Sequence, residues 1–300
     1  MSSKPTPISL GWKNRPAWLA SKSHMLFKPD IFFKEFIMFL SALALGVFSA
    51  YSYSSLMMNS VPIKPISFSW SGLVAYLVFF VAVSFVLFRF KKVASILLKC
   101  FLILIVFSGS QIIFGIFIPP FWDIIAALAT VLVFSLVRNV LTHNVGIILG
   151  IAGVSSILGL SISPQAVVVL MVVLSFYDIA AVYWTHHMIH MAKGMVESGA
   201  IFGFVIPFAF KDFLSHQSHV AENMGGKFMI LGSGDIGIPI IMASSLAAVS
   251  LRQATITSIF SLGGLFLTHL IFVNQSQRKP MAALPPIATM TIIGYLISSL

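Results

Sequence analysis

The chain is poor in charge. Only 9% of its 300 residues are Asp, Glu, Lys or Arg, against about 25% in a soluble domain, so it cannot present water with a polar surface on every side. Cysteine is almost missing as well. Cys100 stands alone, which excludes an intramolecular disulfide framework and reads as a small buried hydrophobe. Acids are the scarcest group that matters: Asp30, Glu35, Asp123, Asp178, Glu197, Asp212, Glu222 and Asp235 complete the inventory. What the chain has instead is apolar mass, with 58% hydrophobic side chains and a mean hydropathy of +1.01. These figures describe a polytopic membrane protein. The 18 basic residues and net charge of +10 lie in small groups between apolar runs, a pattern of topology rather than of nucleic-acid binding.

A spanning helix takes about 20 mainly apolar residues. Nine stretches qualify, at 31–51, 71–90, 96–116, 124–142, 145–160, 164–188, 228–251, 254–273 and 284–300, which predicts an all-α fold of one membrane-embedded domain over 31–300. Residues 1–30 are a basic tail with Trp12 and Trp18, suited to the headgroup level. No apolar run follows the basic start to make a signal peptide.

Placing the N-terminus in the cytoplasm collects sixteen Lys and Arg residues on the inner side and leaves Lys64 and Arg252 outside. That asymmetry sets the orientation. It predicts a cell-membrane protein with a cytoplasmic loop at 189–227 and an extracytoplasmic C-terminus. Within the loop, Ala200 to Phe210 is apolar but too short to span. It reads as a re-entrant or interfacial piece, or as a flap with Gly225 and Gly226 as a hinge.

Six of the eight acids fall at ends or in loops. Asp178 and Asp235 alone lie well inside predicted spans, where an ionised carboxylate is costly and therefore marks function. Counting at 1.5 Å per residue from the cytoplasmic face puts Asp178 at ~15 Å and Asp235 at ~10 Å. Consecutive antiparallel helices thus bring the two to one level. No Lys or Arg lies on an adjacent turn to neutralise either. Two such carboxylates cannot both be ionised, so the pair shares a proton. A shared proton suits peptide hydrolysis, one carboxylate activating water while its protonated neighbour polarises the carbonyl oxygen.

The neighbourhoods are Phe176-Tyr177-Asp178-Ile179 and Leu231-Gly232-Ser233-Gly234-Asp235. They resemble the Tyr-Asp and Gly-x-Gly-Asp motifs of the presenilin and signal peptide peptidase family of intramembrane aspartyl proteases. A third family motif, Pro-Ala-Leu, corresponds to Ala282-Ala283-Leu284, followed by Pro285 and Pro286; Ala282 stands where the family has proline. The resemblance implies a presenilin-like fold, a catalytic dyad of Asp178 and Asp235, and no metal or organic cofactor. It also implies that Ala283, Leu284 and Pro285 hold substrate beside the dyad. Its partners would be transmembrane helices of substrate proteins within the lipid bilayer, and no nucleic acid. An N-terminus inside matches the presenilin orientation and implies substrates with extracytoplasmic N-termini.

Hydrolysis inside lipid requires a substrate helix to unwind, and something must replace its internal hydrogen bonds. Gly232 and Gly234 leave room for an extended backbone beside Asp235, although close helix packing explains small residues equally well. Exposed backbone near Leu284 and Pro285 suits strand addition. Pro239 removes one backbone bond and bends its helix. Tyr177, about 100° around the helix from Asp178, is a supporting residue. His186 and His190 share a helix face, but without acidic or cysteine ligands they read as interfacial, as does His187. Arg138 and Asn139 read as snorkelling and topology residues. A proton-coupled transporter or cation channel would use the same aspartates; the first half of the chain holds no second copy of the Gly-x-Gly-Asp neighbourhood.

Overall fold

The computed structural model describes residues 28–58, 91–184, 194–196, 198–222, 227–275 and 280–300. The predicted span 71–90, most of the basic tail, the His186, His187 and His190 group and the Gly225–Gly226 hinge lie outside the described residues.

The helices are α1 (Pro29–Met58), α2 (Lys91–Phe114), α3 (Trp122–Leu136), α4 (Val140–Ser161), α5 (Pro164–Ile179, continued by a π turn at Ala180–Trp184), α6 (Ser233–Ala247), α7 (Leu251–Val273) and α8 (Leu284–Ser298). Five stretches are long and apolar enough to cross a membrane: Pro29–Leu56, Ser95–Phe114, Val140–Ser161, Pro164–Trp184 and Leu251–Val273. Three apolar helices are shorter, Trp122–Leu136, Ser233–Ala247 and Leu284–Ser298. The expected count of nine spans is not reproduced among the described residues.

Several helix starts follow from polar residues that satisfy free backbone N–H groups. Asn139 accepts from the Thr142 amide, Ser163 from that of Ala166 and Ser250 from that of Gln253. Pro164 occupies the first turn of α5, where its missing N–H costs nothing. The cap at Asn139 corrects two expectations. The break between the fourth and fifth predicted spans falls at 137–139 rather than 142–144, and Asn139 is a helix cap rather than a topology residue. Cys100 is also corrected: it is exposed on α2, beside the exposed Leu97, Phe101 and Leu104.

The larger correction concerns residues 200–232. The fold is mostly helical but not all-α, because Gly203–Pro207 (β1) and Phe228–Gly232 (β2) pair antiparallel, with Gly203 opposite Gly232 and Val205 opposite Ile230. Both strands are rich in β-branched or aromatic residues suited to a pleated surface. Five residues of the stretch Ala200 to Phe210 therefore form a buried strand that is fixed in a ladder rather than a free flap. The apolar run 228–251 is likewise a strand followed by a helix. Between the strands the chain is tied to the α3–α4 turn, where Val140 N–H donates to the Ser215 carbonyl at 3.1 Å and Gln217 N–H to that of Arg138 at 2.9 Å.

At the centre stands α6, with every residue from Asp235 to Ala247 buried. It packs against α1, α4, α5, α7 and α8. Small residues make the approach possible, since helices in lipid gain most from close van der Waals contact. Ile240 of α6 occupies the space a side chain at Gly46 of α1 would take, and Ser244 does the same opposite Gly159 of α4. The packed core thus surrounds the helix that begins at the Gly-x-Gly-Asp segment.

Candidate active site

Asp235 is the third residue of α6, not the eighth of a longer helix, because β2 ends at Gly232 and the helix starts at Ser233. The difference has electrostatic weight. A carboxyl in the first helical turn sits at the positive end of the helix dipole and near backbone N–H groups without intrahelical partners. Asp235 is 6% exposed. Gly232 lies directly against it, so that a Cβ there would be 3.1 Å from Asp235 Oδ2, whereas a Cβ on Gly234 would meet nothing within 4 Å. Of the two explanations for these glycines, close packing finds no neighbour at Gly234 among the described residues. Pro239, inside α6, lacks the N–H that would bond the Asp235 carbonyl four residues earlier.

Asp178 lies at the end of α5, where regular helix gives way to the π turn. Such insertions often accompany functional sites because they re-aim neighbouring side chains. It is 8% exposed, and its Oδ2 accepts a hydrogen bond from the Leu284 backbone N–H at 3.3 Å. The donor is available because Leu284 opens α8 and its amide has no partner one turn earlier. Pro285 and Pro286, which follow, contribute no N–H at all. Asp178 and Asp235 are close enough for the charge of one to act on the other. Among the described residues, neither has a basic ion-pair partner.

The Ala282-Ala283-Leu284 segment is buried and held from α7. Thr268 Oγ1 donates to the Gly264 carbonyl at 2.9 Å and reaches the Ala283 carbonyl at 3.4 Å. Gly264 has no room for a side chain, since a Cβ would lie 2.6 Å from Ile287 Cα. With Ala at 282, the segment keeps its place beside Asp178 through α7 and the two following prolines. Thr268 and Gly264 were not singled out by the sequence, where a threonine and a glycine in an apolar span carry no signal of their own.

The structure brings Asp178 against Leu284, Asp235 against Gly232, and the two carboxyls within electrostatic range of each other, with Gly234 and with Ala283 and Pro285 as chain neighbours of those contacts. Tyr177 is set apart from them: it is 57% exposed while its neighbour Asp178 is buried, as the 100° step between adjacent helical residues requires.

Two buried carboxyls thus lie on adjoining helices of an apolar bundle. The family model for signal-peptide peptidase and presenilin aspartyl proteases matches residues 35–300, and the chain belongs to that family. The chain is also similar to two solved structures of a presenilin family intramembrane aspartate protease. The one in the C222 space group has a TM-score of 0.56 and 23% identity, covering 88% of this chain and 95% of that one. The one in the P2 space group has a TM-score of 0.55 and 24% identity, covering 87% and 96%. No curated protein sequence matches the chain. The protein is an integral membrane member of the family with a presenilin-like fold.

Proposed function

We propose that the protein is an endopeptidase that hydrolyses peptide bonds within or near transmembrane segments, with Asp178 and Asp235 as its catalytic dyad. The observation that carries this reading is the placement of two buried carboxyls within electrostatic reach, one anchored by Leu284 N–H and the other at the start of α6. One ionised carboxylate takes a proton from water as its oxygen attacks the scissile carbonyl carbon. The protonated partner gives its proton to the carbonyl oxygen. Collapse of the resulting diol breaks the C–N bond as one hydroxyl gives its proton to the ionised carboxylate and the amine takes the proton of the other carboxyl, which restores one proton to the pair. This uses the carboxyl pair alone as acid and base.

Family membership supports the reaction class, and the open space at Gly234 supports close approach of an extended substrate backbone. The basic asymmetry of the sequence supports a cytoplasmic N-terminus and substrates entering with their N-termini outside. The test is cleavage of a transmembrane peptide in lipid vesicles by the wild type and by Asp178→Asn and Asp235→Asn. Wild-type turnover with a loss of about 10²–10⁴-fold in each variant is expected for a lost acid or base. Equal cleavage by all three would overturn the assignment, and labelling that places 189–227 outside the cell would overturn the orientation.

A further inference from the structure

The far edge of β1 is sealed by side chains. In an antiparallel pair, residues alternate between exchanging hydrogen bonds with the partner and turning their N–H and C=O groups outward. Phe208 N–H donates to the Lys227 carbonyl at 3.0 Å and Ser233 N–H to that of Phe202 at 3.2 Å, so the ladder bonds fall at even-numbered residues of β1. Gly203, Val205 and Pro207 consequently face away from β2.

Each of these three meets a side chain. Asn144 on α4 bonds Val205 at both groups, Nδ2 donating to the carbonyl and Oδ1 accepting from the N–H, both at 2.8 Å. His143 Nε2 lies 3.1 Å from the Gly203 carbonyl. Lys34 Nζ on α1 donates to the Pro207 carbonyl at 3.0 Å and the Phe208 carbonyl at 2.7 Å, with the Phe210 ring 4.2 Å away. Pro207 has no N–H to satisfy. The Asn144 amide thus reproduces one residue of a neighbouring strand, and all three side chains are buried.

An exposed strand edge is a template for pairing, and the outer edge of β1 is closed by side chains. Burial makes the closure strict, because removing Asn144 would strand both Val205 groups away from water. The sheet matters to chemistry because β2 runs without a break into Gly232 and Asp235. Any slip or tilt of β1 against α4 is passed through the ladder to the start of α6.

We propose that Asn144, with His143 and Lys34 at either end of the same edge, is a positioning residue for the reaction: it fixes the sheet against α1 and α4, and thereby fixes where Asp235 meets the substrate chain. This rests on the protease reading above. It predicts that loosening the edge lowers turnover and blurs the choice of scissile bond, because a small misplacement of reacting groups costs about 10²-fold in rate.

The experiment compares wild type, Asn144→Leu and Lys34→Met, as full chains in lipid vesicles, by hydrogen–deuterium exchange and by mass spectrometry of a cleaved transmembrane peptide. Asn144→Leu is expected to speed exchange in 203–207 and 228–232 while α7 and α8 keep their protection. Its kcat should fall by about tenfold or more with a smaller change in KM, and cuts should spread to neighbouring bonds. Unchanged exchange in the two strands would overturn the sealed edge whether or not the protein cleaves. Faster exchange with an unaltered cut position would overturn positioning and leave a structural role. If Asn144→Leu does not fold, Lys34→Met at the other end of the edge must give the same pattern or the inference fails. A wild type that never cleaves would instead remove the protease reading, while exchange still reports on the edge.

Discussion

Leu284 donates its backbone N–H to Asp178 Oδ2 at 3.3 Å, across 106 positions of sequence. The bond joins the first residue of α8 to the last turn of α5, and its geometry depends on how closely α7 holds α8. Gly264 sets that distance, since a Cβ there would be 2.6 Å from Ile287 Cα and 3.0 Å from the Pro286 carbonyl oxygen. Gly264→Ala should push the start of α8 away from α7 and weaken the contact with Asp178. Overpacking of this kind costs about 1–3 kcal/mol. Thermal denaturation and peptide turnover measured together should both fall; a lowered Tm with full turnover would show that the Leu284 contact is dispensable for catalysis.

Gly234 offers the opposite experiment. Among the described residues its surroundings are open, and Ala is the better helix former by about 1 kcal/mol. Gly234→Ala should leave the folded protein as stable as before or slightly more so. If the open space receives the substrate backbone, the added methyl should raise KM or lower kcat by about tenfold, an effect of order 1.4 kcal/mol. Undiminished cleavage by a well-folded Gly234→Ala protein would remove this glycine from the substrate path.

The acids and the Leu284 segment were legible in the sequence because each is rare in its setting. An Asp in an apolar run and two successive prolines at a helix start have few structural explanations. Hydropathy alone did not divide 228–251 into strand and helix, since a short apolar run fits either and only the pairing with 203–207 decides. That pairing crosses a 20-residue gap and leaves no local mark. The same blindness hid Asn144, whose partner lies 61 residues away. It also displaced Asp235, which a continuous helix would have put two turns deep and which the strand instead places in a first turn.

A second buried pair joins α1 to α7: His269 Nδ1 and Glu35 Oε2 are 2.9 Å apart, both residues almost wholly buried. Phe32 packs beside the imidazole, with ring centres 5.2 Å apart. Removing one partner leaves the other polar group in an apolar core, at a cost of about 1–3 kcal/mol for a neutral group and more for a charged one. Glu35→Leu and His269→Phe should each destabilise the fold. The double variant should be less destabilised than the sum of the two, a coupling of about 0.5–3 kcal/mol. Additive losses in a denaturation series would mean that the pair contributes packing alone.

The dyad also dictates a pH profile. Asp178 lies within electrostatic range of Asp235, and neither has a basic ion-pair partner among the described residues, so on the proposed mechanism the productive form carries one proton between two carboxyls. At acid pH both are protonated and no base remains to activate water. At alkaline pH both are ionised and no acid remains for the carbonyl oxygen. The value of kcat/KM for a transmembrane peptide should therefore rise and then fall as pH increases, reporting two macroscopic constants of the pair rather than one for each residue. Circular dichroism across the same range separates this from unfolding. A flat profile over a range in which the protein stays folded would exclude a shared proton and, with it, the division of labour between Asp178 and Asp235.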